Sequence, residues 1–241
     1  MSELTLREIA EILVAVRMKL IRVIAIIVAV WALSYIFLAD LVIEKVERDL
    51  LPEGAKLITQ APLELLMLKI KISLIFGFLA ALPYIIHLAY RTLKERTELL
   101  KDFEISKSGA VLYAVVAAIL FVLGVAYGYV IMLPIFLKFL YSIAQSQGVV
   151  ALYSIAEFIN FVVLMLAVFG ATFEMPLIMH FLVKNGVVEL SAFKYYRRHF
   201  YVAFFVIGAV ITPPDVFTQL MVALPMILFF EISLAVVSLT T

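Results

Sequence analysis

Glu174 stands inside the long apolar run from Phe158 to Val183, two residues before Pro176. An ionisable side chain at bilayer depth costs about 2.5 kcal/mol or more, so it calls for a partner, a cavity or a function. Pro176 carries no N–H and leaves a carbonyl one turn earlier without its donor, which predicts a kink and a polar notch beside the carboxylate. The chemistry open to such a notch is non-covalent. It can hold a polar group of another chain, or it can keep a protonated glutamate hydrogen-bonded inside the bundle; the residues alone leave both open. Glu231 lies beyond Pro225 in the last apolar run and reads either as an interfacial acid near a shallow helix end or as a second functional carboxylate. Between these acids, Pro213-Pro214 fixes an extended approach, Asp215 is placed to cap the next helix, and Gln219 opens that helix with an amide at shallow depth.

The elements that must position these groups follow from composition. Of 241 residues, 66% are hydrophobic and 15% charged, with a mean hydropathy of +1.15. Soluble domains are about half apolar and a quarter charged, so the expected class is an all-α polytopic membrane protein. A net charge of +1 gives no basic field for nucleic acid. Cysteine is absent, and His87, His180 and His199 are scattered, so neither a metal site nor a thiol nucleophile is expected. His180 lies six residues past Glu174 and off its helical face. With no Gly-x-Ser-x-Gly, His-Glu-x-x-His or phosphate loop, the expectation is a protein that is not an enzyme and has no cofactor.

A bilayer core of roughly 30 Å needs about 20 apolar residues per helix. Six segments answer this description, approximately Leu20–Leu41, Ile72–Ala89, Ala110–Leu133, Phe158–Val183, Phe200–Ile211 and Gln219–Leu239. The fifth reaches only about 18 Å, too short for an ordinary core. Arg7, Arg17, Lys19 and Arg22 lie before or at the edge of the first span. Arg91, Lys94, Arg96, Lys101 and Lys107 fall between spans two and three, and Lys184, Lys194, Arg197 and Arg198 between spans four and five. These thirteen cations face four on the other side, Lys45, Arg48, Lys56 and Lys138, which predicts cytoplasmic N and C termini. Lys69 and Lys71 are expected to snorkel from the start of span two. No connection is long enough for a soluble domain, so residues 1–241 read as a single transmembrane domain. The two outer connections are Val42 to Lys71, helix then turn at Pro52-Glu53-Gly54, and Pro134 to Glu157. Residues 1–19, with the capping pattern Thr5-Leu6-Arg7-Glu8 and apolar Leu6, Ile9, Leu13 and Val16, predict a cytoplasmic amphipathic helix. Gly124 and Gly128 form a Gly-x-x-x-Gly pair whose expected meaning is close helix packing.

Phe169-Gly170-x-x-Phe173-Glu174-x-Pro176, then Pro214-Asp215-Val216-x-Thr218-Gln219, then Pro225 and Glu231, resemble the TatC family, the multispanning receptor subunit of the twin-arginine protein translocase. Pro62-Leu63-Glu64, Lys71-Ile72-Ser73, Pro83, Gly124 and Leu133-Pro134 extend the resemblance over most of the chain. It implies a glove-shaped fold of six helices, the last two short. It also implies a receptor in the cell membrane for twin-arginine signal peptides of folded cargo, working with single-span TatA/TatB-type partners and the proton-motive force. The further expectations are contact with membrane lipid, a homo-oligomer within a larger complex, and no nucleic acid or metal.

The resemblance also assigns residues. Glu174, Asp215, Gln219 and Glu231 become intramembrane polar or partner-binding groups, and the signal peptide is assigned to Glu104, Asp102, Glu11 and Arg17. Two departures stand out. The family places a glutamate two residues before the N-terminal arginine, whereas this chain has Ala15 before Arg17. In the first cytoplasmic loop, Leu99-Leu100-Lys101-Asp102-Phe103-Glu104 replaces the family's Pro-Ala-Leu phrase, with Glu104 the best-matching acid by spacing and Asp102 next. The alternatives are a divergent paralogue with another ligand, and a small-solute transporter, which needs polar residues that spans one to three scarcely offer.

Overall fold

The structure is a computed structural model that describes residues 6–96, 107–212 and 215–240, with side chains described at 20–81, 84–85, 109 and from 112 onward within those limits. Ten α-helices and two short strands follow one another among these residues. They fall into two compact units, residues 1–49 with 59–103, and residues 50–58 with 104–241.

In the first unit, α1 (Leu6–Phe37) packs along α3 (Glu64–Arg96). The approach is close because Gly77 has no side chain: a Cβ there would lie 2.7 Å from the Ile27 carbonyl oxygen. Ser34, Leu68, Ile72, Ser73 and Ala81 are buried, and Ser73 returns its hydroxyl to the Lys69 carbonyl, so its burial leaves no unpaired donor. The helix expected for residues 1–19 is, over its described part from Leu6, continuous with the first span rather than separate, since nothing between Leu6 and Phe37 interrupts the helical ladder. α2 (Ala39–Leu50) is amphipathic, burying Ala39, Ile43, Val46 and Leu50 at helical spacing while its charges stay exposed. Lys69, expected to reach for the headgroups, pairs instead with Asp40 of α2 at 2.5 Å. Glu64 turns back onto the amides of Gln60 and Ala61, so Pro62-Leu63-Glu64 acts as the N-terminal cap of α3.

The second unit is built on α4 (Lys107–Tyr127) against α6 (Ile155–Phe173). A Cβ on Gly124 would lie 2.4 Å from the Phe169 carbonyl oxygen, and one on Gly170 would strike the Phe121 ring, so the glycines are required for this approach. That is the packing role expected of Gly124 and Gly128. Beside the seam Tyr127, Phe169, Phe173 and Phe229 form one aromatic cluster, with Phe173 and Phe229 centroids 4.1 Å apart.

The span predicted to stop at Leu133 does not stop. A π turn (Gly128–Met132) leads directly into α5 (Leu133–Ser146), and the expected outer loop from Pro134 is therefore half helix. Pro134 falls directly after the π turn, and the chain stays helical through it rather than ending there. After Gly148, whose φ of +68° suits only glycine readily, the chain forms β2 (Leu152–Ser154), which pairs in parallel with β1 (Lys56–Ile58). Ser154 then caps α6 by accepting from the Glu157 amide.

Four segments among the described residues are long and apolar enough to cross a membrane: Leu20–Phe37, Leu112–Ser146, Ile155–Lys184 and Val216–Thr240. α3 is a 33-residue helix that carries the second predicted span. α9 (Arg197–Ile211), with 15 residues, reaches about 22 Å and is short as expected. α10 (Val216–Thr240) is not: its 25 residues reach about 37 Å, so of the two helices expected to be short only α9 is. The helix begins three residues before Gln219, directly after the Asp215 cap, and runs through Pro225.

Candidate functional site

Glu174 occupies the joint between two helices. It ends α6 and begins α7 (Met175–Lys184), and Pro176 takes one of the first positions of α7. Where a kink was expected the helix is interrupted, and the cause is local: Pro176 cannot donate one turn back, and the Glu174 amide closes α6 onto the Ala171 and Thr172 carbonyls. Thr172 is buried and gives its hydroxyl to the Val168 carbonyl. The Glu174 side chain is half-buried and makes no ion pair among the described residues. A carboxylate so placed retains free acceptor capacity, because two oxygens offer about four lone-pair sites.

The turn from α9 to α10 is held by the groups expected of it. Asp215 accepts from the Thr218 amide at 3.0 Å, and the Thr218 hydroxyl donates to the Asp215 carbonyl at 3.0 Å. Gln219 donates its side-chain amide to the Phe205 carbonyl at 2.8 Å, tying the start of α10 to α9. Gly208 lets the two helices meet, since a Cβ there would lie 3.1 Å from the Gln219 carbonyl oxygen. Loss of the cap should destabilise the turn by about 1 kcal/mol. Asp215→Ala is thus expected to lower the thermal midpoint of the purified protein while Asp215→Asn largely preserves it, because asparagine caps as well as aspartate. Equal midpoints for Asp215→Ala and the unaltered chain would remove the capping role.

Glu231 is engaged inside the chain. Arg197, at the start of α9, pairs with it at 2.9 Å, and the Tyr201 hydroxyl donates to its other oxygen. Sequence reasoning counted Arg197 only as a topological charge and missed Tyr201 altogether; no local pattern connects either to an acid so far along the chain. His180 is likewise drawn to Thr240, not to Glu174. Glu11 and Arg17 lie on α1, where the helix is described but their side chains are not, and Asp102 and Glu104 lie outside the described residues. Among the described residues no group of three His, Asp or Glu could hold a metal ion.

These features define a polytopic helical membrane protein. The chain belongs to the TatC family, described as Sec-independent protein translocase protein (TatC), whose family model matches residues 11–225. It is 36% identical over 187 residues to the Sec-independent protein translocase protein TatC of Aquifex aeolicus, covering 77% of this chain and 75% of that one. It is 29% identical over 222 residues to the TatC of Azotobacter chroococcum, with coverage of 91% and 85%. Two solved structures are similar. A crystal structure of the twin-arginine translocase receptor TatC is 32% identical with a TM-score of 0.77, covering 94% of this chain and 98% of that one. The same receptor in the detergent DDM is 34% identical with a TM-score of 0.78, covering 92% and 97%. The family is a translocase component and not an enzyme.

Proposed function

We propose that this protein is the signal-peptide receptor of a twin-arginine translocase in the cell membrane, with both termini cytoplasmic. In this reading it binds the twin-arginine signal peptide of folded cargo at Glu104, Asp102, Glu11 and Arg17, the paired arginines falling to the three acids. Glu174 and the Asp215–Gln219 turn take the polar groups of single-span TatA/TatB-type partners within a larger assembly driven by the proton-motive force. The observation that carries the reading is the likeness to the TatC receptor structure over 94% of the chain at 32% identity. A second reading, a paralogue using the same scaffold for another ligand, is favoured by Ala15 standing where the family has an acid.

Binding of an Arg-Arg signal peptide and its Lys-Lys control to the detergent-solubilised protein separates the two. Guanidinium forks match carboxylates in a way ammonium groups cannot, so the receptor reading expects preference for Arg-Arg. Equal binding of both peptides counts against it, and no binding of either favours the paralogue. The orientation has its own test. With thirteen cations against four, a cysteine placed at Ser106 is expected to resist an impermeant thiol reagent added outside intact cells and to react after lysis. Labelling from outside would invert the topology.

A further inference from the structure

We propose that Arg197, Tyr201 and Glu231 form a clamp that holds the distal half of α10, residues 226–240, against α9 across a hinge at Pro225, and so seats Phe229 against Phe173 beside Glu174. Glu231 is then a positioning residue for the Glu174 joint and not itself a contact of a partner chain. The use of Glu174 by a partner rests on the function proposed above; the clamp itself does not.

Both carboxylate oxygens of Glu231 are engaged by α9. The Arg197 guanidinium pairs with Oε2 at 2.9 Å, and the Tyr201 hydroxyl donates to Oε1. Arg197 and Tyr201 are four residues apart and share a helix face, which Phe204 and Gly208 continue toward the turn. Glu231 lies nine residues inside the end of α10, a membrane-spanning helix in which an unpaired acid is costly.

Near the turn, α10 is attached a second time, through the Gln219 amide on the Phe205 carbonyl. Pro225 lies midway, six residues from Gln219 and six from Glu231. A proline inside a helix removes a backbone hydrogen bond and lets the helix bend there. Two attachments about 18 Å apart along α10, one on each side of the proline, fix both halves against α9. Loss of the Glu231 attachment frees only the distal half.

That half carries two rings with different neighbours. Phe230 is buried against Phe200 and Phe204 of α9, with centroids 4.7 and 5.8 Å away. Phe200 also meets Phe193 of α8 (Leu190–Tyr195), which packs on α10 as well. Phe229 has its centroid 4.1 Å from that of Phe173 and 5.5 Å from that of Tyr127. Phe173 is the last residue of α6, immediately before Glu174. A tilt or rotation of the distal half therefore carries Phe229 off the joint, because close-packed rings leave no slack to absorb it.

The chain has no cysteine, so spin labels can be attached at introduced cysteines without background. A pair at Val202 and Ile232 reads the distal half against α9, and a pair at Val210 and Leu224 reads the half next to the turn; all four residues are exposed. Electron–electron distance measurements on the full chain in detergent are expected to give one narrow distribution for each pair. Arg197→Ala should broaden the first roughly twofold and leave the second unchanged. Tyr201→Phe, which loses one hydrogen bond and keeps the ring, should fall in between. Exchanging the charges, Arg197→Glu with Glu231→Arg, should restore the narrow distribution. Pro225→Ala should restore it in the Arg197→Ala chain, because a helix without the hinge is held by one attachment. A pair that only added stability would show no such rescue.

Retention of a co-expressed, tagged single-span TatB-type protein should fall roughly three- to tenfold in Arg197→Ala, and no further when Arg197→Ala is added to Glu174→Ala, since a clamp acting through Glu174 then has nothing left to position. Unchanged distances in both Arg197→Ala and Tyr201→Phe overturn the clamp. Reduced retention in Glu231→Ala with full retention in Arg197→Ala would make Glu231 a direct contact and overturn the proposal. Broadened distances with full retention, or additive losses from Arg197→Ala and Glu174→Ala, would overturn the positioning of Glu174. If the unaltered chain retains no single-span protein while the distances respond as expected, the partner reading falls and the clamp stands.

Discussion

Glu174→Ala is expected to lower both partner co-purification and export of a folded twin-arginine reporter by about ten- to a hundredfold, with Glu174→Gln falling between it and the unaltered protein. A hydrogen bond to a charged group contributes about 1.5–3 kcal/mol, and 1.4 kcal/mol is a factor of ten in association. The carboxylate is half-buried at the joint of α6 and α7 and has no ion pair among the described residues, so its oxygens have acceptor capacity for a partner. Alanine removes both charge and acceptor, whereas glutamine keeps an acceptor oxygen and loses the charge. The helix break itself belongs to Pro176 and should survive either change, so the circular dichroism of both variants should match that of the unaltered chain. Normal assembly and export by both variants would make Glu174 structural at most.

The second large effect concerns the paired arginines. Glu104→Lys is expected to weaken Arg-Arg peptide binding, Glu11→Gln added to it to weaken it further, and Ala15→Glu alone to strengthen it. Glu11 is one helical turn before Ala15, and residues four apart share a helix face, so Glu11 can supply the acid that Ala15 lacks. Exposed ion pairs contribute about 0–1 kcal/mol each, so each neutralisation should cost up to roughly fivefold and charge reversal more. The Lys-Lys control should respond less to all three, because an ammonium group cannot make the bidentate contact. If only Ala15→Glu binds the Arg-Arg peptide detectably, the chain is the paralogue and its natural ligand is something else.

The amino-acid sequence by itself determined the features governed by short-range rules. Apolar runs marked the spans because the hydrocarbon core admits only helices with satisfied backbones. The interruption at Glu174 was legible as a kink from Pro176, since a missing N–H acts within one turn, and the cap at Asp215 from its place after two prolines and before an apolar run. Gly124 and Gly128 announced a close approach, though not to which helix. Tertiary structure decided the rest. The chain stays helical through Pro134 instead of ending a span there, with a π turn directly before it. The parallel pairing of Lys56–Ile58 with Leu152–Ser154, the meeting of Lys69 with Asp40, and the capture of Glu231 by Arg197 and Tyr201 each join residues from separate elements. Such partners are selected by which helix faces pack together and at what offset, and that is set by the summed fit of many side chains rather than by any spacing along the chain.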